Sequence, residues 1–595
     1  MSTRFLSIVS LVAVFGIGAL LRSYNLSWDG GHLYHPDEMN IAFAMANIRL
    51  FDHLDPGFYA YNGFSLYLYK FIVTGIAWMT GDLSWTTDLG RMVLAGRHVS
   101  AVVSTLSLGL IYILGSRLAG TRVAFLATAL SAFNVGLFQC AHFAVTESLL
   151  VFFLLLTALC TSLYIDRGGY RGLLLSLVLG VAIGTKTSAL SFLIFPLFVI
   201  LYKIKAWGDF PIHGSSEKTC RDWRIVLKHI PFAILKVVLG AFFLAGIAFA
   251  VSPYSILNLD AFRSSMAYEG GVVQGSVRVP YTLQFCDTVP YIPCLQGLFW
   301  LCTPPVALLG IIGLVVWLFS SVKAWLFNRT APSLASSPAV IPFLLFGLGY
   351  GAYIGLWYAK FVRYLIPLIP VISLCSAWTV ETVRRRFPRL ATILVILLLG
   401  GSGIWSACFF SIYARPSSRT AASAWLYDAI PSGTNLLVEH YDYQLPVPLS
   451  GKSPWKYPTR AFPFYAPDTP EKMRDLAQAL ATADLVILAS RRLYTTIPKA
   501  PKQYPLTSRY YADLLAGNLG FHQIAEFSSP PGIGPWTISD DSAEETFQVF
   551  DHPTIRIFQK QRTGIPLPGT YPVGISPVGT SPAALEAFLR RPISP

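Results

Sequence analysis

Apolar runs of about 20 residues, separated by short polar connections, fill most of the first 412 positions. A helix needs about that length to cross the hydrocarbon layer of a bilayer. Windows of this kind predict spans near 5–21, 98–119, 122–141, 145–165, 171–187, 188–203, 231–252, 297–320, 338–358, 361–380 and 390–412. The stretch from Gly172 to Leu201 is either one long helix or a tight pair broken around Thr185-Lys186-Thr187. Counted as a pair, it brings the total to about eleven. The first run follows a single Arg4 and has no small-x-small cleavage site before Arg22, so it reads as an uncleaved span rather than a signal peptide.

Between the first two spans lies a long connection, 22–97, with apolar patches at Ile41 to Leu50 and Phe64 to Thr80. These patches read as helices lying at the membrane interface, where Tyr59, Tyr61, Tyr67, Tyr69 and Trp78 are favoured residue types. After Tyr413 hydropathy falls. Strand-like runs (Asn435 to Val438, Leu485 to Ala489, Phe547 to Phe550, Ile555 to Phe558) alternate with helical ones (Ala421 to Ile430, Glu471 to Ala483, Tyr510 to Leu519). Leu445 to Pro470 reads as a long loop. The expected organisation is a polytopic α-helical membrane domain over 1–412, a mixed α/β domain over 413–562 and a Pro/Gly-rich tail over 563–595.

Composition agrees: 54% of the 595 residues are hydrophobic and only 13% charged, too apolar for a soluble enzyme of this size. The net charge of +14 does not point to nucleic acid, because the basic residues sit between apolar runs rather than along one polar face. Arg117 and Arg122, Arg167 and Arg171, Lys203 through Lys228, Lys323 and Arg329, and Arg384, Arg385, Arg386 and Arg389 fall in alternate connections. With those connections cytoplasmic, the amino terminus is inside a plasma (inner) membrane, and 22–97, 253–296 and the α/β domain are extracytoplasmic. Of the eight cysteines, Cys140, Cys160, Cys302, Cys375 and Cys408 fall in or beside apolar runs as small hydrophobes. Cys286 and Cys294 share an extracytoplasmic loop and are a candidate disulfide.

Chemistry concentrates at the outer ends of the spans. His35-Pro36-Asp37-Glu38 sits just past the first. Its acidic pair suits a helix's first turn, and equally a general base at the membrane surface. Arg97, Lys186 and Arg363 with Tyr364 are predicted at the same level, where cations should be scarce. Several of them around one pocket would suit a phosphate. Glu147 opens another span, and His142 is its candidate partner or a metal ligand.

The order of first span, His-Pro-Asp-Glu loop, Gly96-Arg97-His98-Val99-Ser100, His142 to Glu147, Gly184-Thr185-Lys186, and Arg363-Tyr364 with Pro367 resembles the C-type membrane glycosyltransferases. The branch it is most similar to contains protein O-mannosyltransferases and aminoarabinose transferases. The resemblance implies an inverting transferase that takes a monosaccharide from a polyprenyl-phosphate donor to a hydroxyl on a protein, glycolipid or glycan. By position it implies Asp37 as base, Glu38 as the residue that orients the acceptor, and Glu147 as a second acidic position where many relatives have Asp. It likewise implies Arg97, Lys186, Arg363 and Tyr364 around the donor phosphate. No cofactor is expected to be obligatory, with a divalent metal as the alternative. A transporter or lipid flippase using Asp37, Glu147 and Arg97 is the competing reading. A scaffold is a third, and it leaves the Asp-Glu loop without a purpose.

Overall fold

The computed structural model describes residues 3–50, 52–208, 223–326 and 338–561, so the expected tail over 563–595 lies outside the described residues. The chain opens with α1 (Thr3–Ser23), α2 (Pro36–Asn47), α3 (Gly63–Thr80), α4 (Leu89–Ala119), α5 (Thr121–Ala132), α6 (Val135–Ala141) and α7 (Glu147–Arg167). Next come α8 (Arg171–Thr185), α9 (Ile194–Gly208), α10 (Trp223–Val251), α11 (Tyr254–Leu257), α12 (Leu259–Gln274), α13 (Ile292–Cys302) and α14 (Pro304–Leu326). The membrane half closes with α15 (Val340–Gly355), α16 (Ile369–Arg386) and α17 (Pro388–Phe410). A 3-10 segment, Val362–Leu368, leads directly into α16.

Among the described residues seven helical segments are long and apolar enough to cross a bilayer, or eight with α5 and α6 taken as one span bent by 56°. The segments Ile8–Ser23, Arg171–Thr185, Ile292–Cys302 and Val340–Gly355 are apolar but shorter. Each predicted window contains helix, although among the described residues not every window holds a helix of full spanning length. Several runs break inside the apolar stretch, at Asn134, at Lys186 and at Thr303. The 172–203 stretch is thus a pair. Backbone groups freed at such breaks need partners away from water. At the α5–α6 bend Arg22 supplies them, donating to the carbonyls of Ser131 and Ala132 at 2.9 and 3.1 Å.

Small residues let helices close up. A Cβ on Gly310 or Gly313 would stand 2.7 and 2.5 Å from the carbonyl oxygens of Ile372 and Cys375, so α14 and α16 touch backbone to backbone there. In the first long connection, α3 carries Phe71, Trp78 and Met79 exposed, as an interfacial helix should. The other patch differs from expectation: Ile41, Ala42, Met45 and Ile48 are fully buried, which makes α2 part of the bundle's core rather than a helix resting on lipid.

The second half adds α18 (Ser418–Ala429), β1 (Leu436–Glu439), β2 (Thr459–Phe462), α19 (Pro470–Thr482), β3 (Leu485–Leu488), α20 (Pro505–Leu515), β4 (Phe521–Phe527), β5 (Gly532–Ile533), β6 (Trp536–Thr537), α21 (Glu545–Gln548) and β7 (Ile555–Lys560). Five strands form a sheet in the order β2-β1-β3-β7-β4, parallel through β3 and antiparallel beyond it. Residues 547–550, expected as a strand, instead start in the helical turn α21, since a four-residue apolar run has no period that tells helix from strand. β2 lies inside the segment expected to be a loop. The candidate disulfide is absent: Cys286 and Cys294 are both free, Cys286 Sγ lying 3.3 Å from the Tyr358 hydroxyl and Cys294 buried in α13.

The sheet domain is joined to the bundle by buried polar contacts. Asp551 accepts from Tyr413 Oη at 2.8 Å and from Gln139 Nε2 at 3.1 Å. His552 lies between Asp551 and Asp540 with both contacts at 2.5 Å, and burial, which disfavours its charge, is outweighed by the two carboxylates, so its pKa rises to about 10.

Candidate active site

α2 begins where the sequence predicts it. Pro36 takes the first helical position, and the Asp37 amide donates to His35 Nδ1 at 3.2 Å, so the imidazole serves as the N-cap. One turn of helix then sends its two carboxylates in different directions.

Glu38 points into the protein. Arg97 grips it with Nε to Oε1 at 2.8 Å and Nη2 to Oε2 at 2.6 Å, and the Ala144 amide donates to Oε1 at 2.6 Å. The same guanidinium holds Asp29 through contacts of 2.9 and 2.7 Å and the Leu26 carbonyl at 2.8 Å. All five Arg97 donors are therefore filled by protein acceptors, and the side chains of Arg97, Asp29 and Glu38 are at most 2% exposed. This corrects two expectations. Arg97 has no donor left for a lipid phosphate, and Glu38 cannot reach an acceptor. Together with Asp29 they lock the 24–35 loop, α2 and the 142–146 turn onto α4.

Asp37 points the other way, with its side chain 23% exposed. Its Oδ2 accepts from Tyr61 Oη at 2.9 Å and from Arg363 Nη1. Burial pushes the Asp37 pKa up, but Arg363, His35, the Tyr61 hydrogen bond and Lys186 together bring it down to about 2. Beside this pair, Lys186 Nζ donates to Glu147 Oε1 at 2.7 Å and stands 5.2 Å from the centre of the Tyr61 ring. Two carboxylates and two cations thus meet at one end of the bundle. Glu147 opens α7, Lys186 follows the last residue of α8, and Arg363 lies at the start of the segment leading into α16. The far ends of α7 and α16 carry Arg167 and Arg384, Arg385 and Arg386.

A small cavity of about 30 Å³, room for about one water, lies in this cluster. His35, Asp37, Cys140, Phe143, Glu147 and Arg363 line it from the bundle, and Thr546 and Phe550 from the sheet domain. His35 stacks on Phe550 at 3.9 Å. A larger cavity of about 400 Å³ elsewhere has no charged side chain in its wall.

The remaining expected residues are placed differently. His142 is fully buried, its nitrogens 2.8 and 2.9 Å from the carbonyl oxygens of Phe138 and Tyr24 and its ring stacked on Tyr413, so it partners neither Glu147 nor a metal. Tyr364 packs edge-on against Trp357 and is not in the cavity wall. Three participants carry no strong sequence signal: Asp29, Tyr61 and Glu269. Glu269, on α12, feels Arg363, Asp37 and Lys186, and burial raises its pKa. Among the described residues no group of three or more His, Cys, Asp or Glu side chains could hold a metal ion.

Residues 77–208, from the end of α3 through α9, match the family described as dolichyl-phosphate-mannose-protein mannosyltransferase. The similarity to that family covers this segment and not the rest of the chain. No curated protein matches the chain. Solved structures similar to it include the apo oligosaccharyltransferase of Archaeoglobus fulgidus, at 14% identity over 91% of this chain and 75% of that one, with a TM-score of 0.48. The oligosaccharyltransferase AglB from the same organism, in complex with an inhibitory peptide and a dolichol-phosphate, gives 13%, 90%, 75% and 0.49. ArnT from Cupriavidus metallidurans, bound to undecaprenyl phosphate, gives 14%, 93%, 98% and 0.44. All three scores lie below 0.5, too low to carry a role from those proteins onto this chain.

Proposed function

We propose that the protein is a membrane glycosyltransferase that moves a monosaccharide from a polyprenyl-phosphate donor to a hydroxyl acceptor, with inversion, on the extracytoplasmic face of a plasma (inner) membrane. The observation that carries this reading is the meeting of Asp37, Glu147 and Arg363 in the wall of one cavity at one end of the bundle, with Lys186 paired to Glu147 beside it. The opposite ends of α7 and α16 are rich in arginine, which favours the cytoplasm for those ends and the outside for the site. Two of the similar structures, by their descriptions, hold dolichol-phosphate and undecaprenyl phosphate, in line with a lipid-phosphate donor. A transporter needs ionisable groups along a route through the bilayer, whereas these four stand at helix ends.

In this reading Asp37 takes the proton of the acceptor hydroxyl as its oxygen bonds to the anomeric carbon. The bond from that carbon to the phosphate oxygen breaks with its electron pair left on the phosphate. Lys186 and Arg363 stabilise that charge, and the sugar passes through an oxocarbenium-like state between them. Arg363 pairs with Asp37 in the present structure, so it must transfer to the arriving phosphate for Asp37 to accept a proton. That exchange removes the cation that depresses the Asp37 pKa and makes the carboxylate a stronger base once donor is bound. The buried Arg97 set has only a positioning part, holding α2 so that Asp37 faces the cavity.

The test is binding of undecaprenyl phosphate to the purified protein in nanodiscs, for wild type, Arg363→Gln and Lys186→Gln. The expected result is saturable binding to wild type, weakened at least about tenfold in each variant, in proportion to a lost charge-assisted contact. Equal affinity in all three removes these residues from the phosphate site.

A further inference from the structure

The β5–β6 hairpin of the sheet domain presents apolar side chains outward. Ile533, Trp536 and Ile538 are 49%, 80% and 40% exposed. The turn between the strands is tight, with Gly534 at φ +58°, where only glycine is at ease. Its base is fixed to the end of α17: the Gly532 amide donates to Ser411 Oγ at 3.3 Å, and Arg415 donates to the Pro530 carbonyl at 3.3 Å.

The hairpin's depth follows from its neighbours. Ile538 and Ser542 share the wall of the 400 Å³ cavity with Trp405 and with Pro304, the first residue of α14. Trp405 lies five residues inside the end of α17, roughly 7 Å along the helix axis at 1.5 Å per residue. Ile538 therefore stands level with the outermost turns of two membrane-spanning helices. The exposed apolar band on those helices, Leu308 and Ile312 on α14 and Ile404 on α17, continues toward the same level. At that depth the surrounding medium is the boundary between headgroups and acyl chains, the layer that tryptophan prefers.

We propose that the hairpin over residues 530–538 inserts into the interfacial layer of the bilayer on the sheet-domain side and anchors that domain to lipid. Insertion there holds the domain against the bundle at α17, while the 544–550 segment, which ends the same connection from the hairpin, forms the cavity wall with Thr546 and Phe550.

The test places a spin label at position 536 (Trp536→Cys) or, as a control between β1 and β2 of the same domain, at Trp455 (Trp455→Cys), which is 91% exposed. Both are made in a version with the native cysteines replaced and reconstituted in phospholipid vesicles. Collision with oxygen and with a water-soluble nickel chelate is then compared. The label at 536 is expected to be favoured by oxygen, with nickel accessibility at least about threefold below that at 455, as for a group in the interface. Nickel accessibility equal to that at 455 overturns the proposal, and so does protection from both reagents, which indicates a protein partner instead. If the cysteine-replaced version does not fold, Trp536→Phe in the native chain gives the second reading. Brominated lipids are expected to quench a smaller share of its fluorescence than of wild type, and an unchanged share overturns the insertion.

Discussion

Replacing Arg97 by Lys separates a cation that builds the site from one that touches substrate. Arg97 makes five donor contacts, two each to Asp29 and Glu38 and one to the Leu26 carbonyl, inside a region at most 2% exposed. An ammonium offers three donors and no planar fork, so at least two of the five contacts are lost and one buried carboxylate loses its bidentate hold. Each hydrogen bond to a charged group is worth about 1.5–3 kcal/mol. The expected loss of two such bonds in Arg97→Lys, which keeps the positive charge, is therefore about 3–6 kcal/mol. The assay is the thermal midpoint in detergent beside the apparent donor KM of the fraction that stays folded. A large fall in midpoint with an unchanged donor KM is expected. An unchanged midpoint with a raised donor KM would refute the framework role and return Arg97 to the phosphate site.

Further outcomes follow from other contacts. The Asp37 carboxylate has its pKa lowered to about 2, so it is ionised throughout the neutral and mildly acid range. The pH profile of kcat/KM, which reports the free enzyme, should show no inflection from Asp37 above about pH 4, and in Arg363→Gln the Asp37 inflection should move upward because burial loses its largest opponent. An inflection near pH 5 in wild type would contradict the pairing. His552, raised to about 10 between two aspartates, contributes stability that is fully present below its unfolded value near 6.5 and is lost as pH rises through 10. His552→Gln leaves Asp540 and Asp551 buried without a cation and should cost about 3–5 kcal/mol, read as a lower unfolding midpoint at pH 7. Gly313→Val forces α14 from α16 at a 2.5 Å approach and should cost at least about 1–3 kcal/mol, measured as a reduced folded yield in membranes.

The position of the site is legible in the sequence because ionisable groups at the ends of apolar runs are costly to keep without a purpose. Asp37, Glu147, Lys186 and Arg363 meet although Asp37 and Arg363 are 326 residues apart. What a linear reading cannot separate is a cation facing a cavity from one buried among carboxylates. Arg97 and Arg363 look alike as charges at span ends, and only the fold gives Arg97 its partners Asp29 and Glu38. The helix breaks are hidden for a related reason. Hydropathy reads Thr303 and Asn134 as tolerable within an apolar run, while the backbone turns there. In the sheet domain the short runs at β1, β3 and β7 are readable, but β4, with His522, Gln523 and Glu526 among its seven residues, lacks the apolar density that marks a strand. The Cys286–Cys294 spacing invites a bridge that the fold does not form, since spacing says nothing about where two sulfurs point.

Asp37 as the acid-bearing residue that accepts the proton is the claim on which the functional account stands. The most direct measurement compares cells lacking the gene, restored with wild type or with Asp37→Asn, by mass spectrometry of cell-envelope glycans and glycoproteins, with the protein quantified in the membrane fraction. The account predicts that deletion removes a sugar modification, that wild type returns it, and that Asp37→Asn does not, although it is inserted at the wild-type level. Full return of the modification by Asp37→Asn would contradict it.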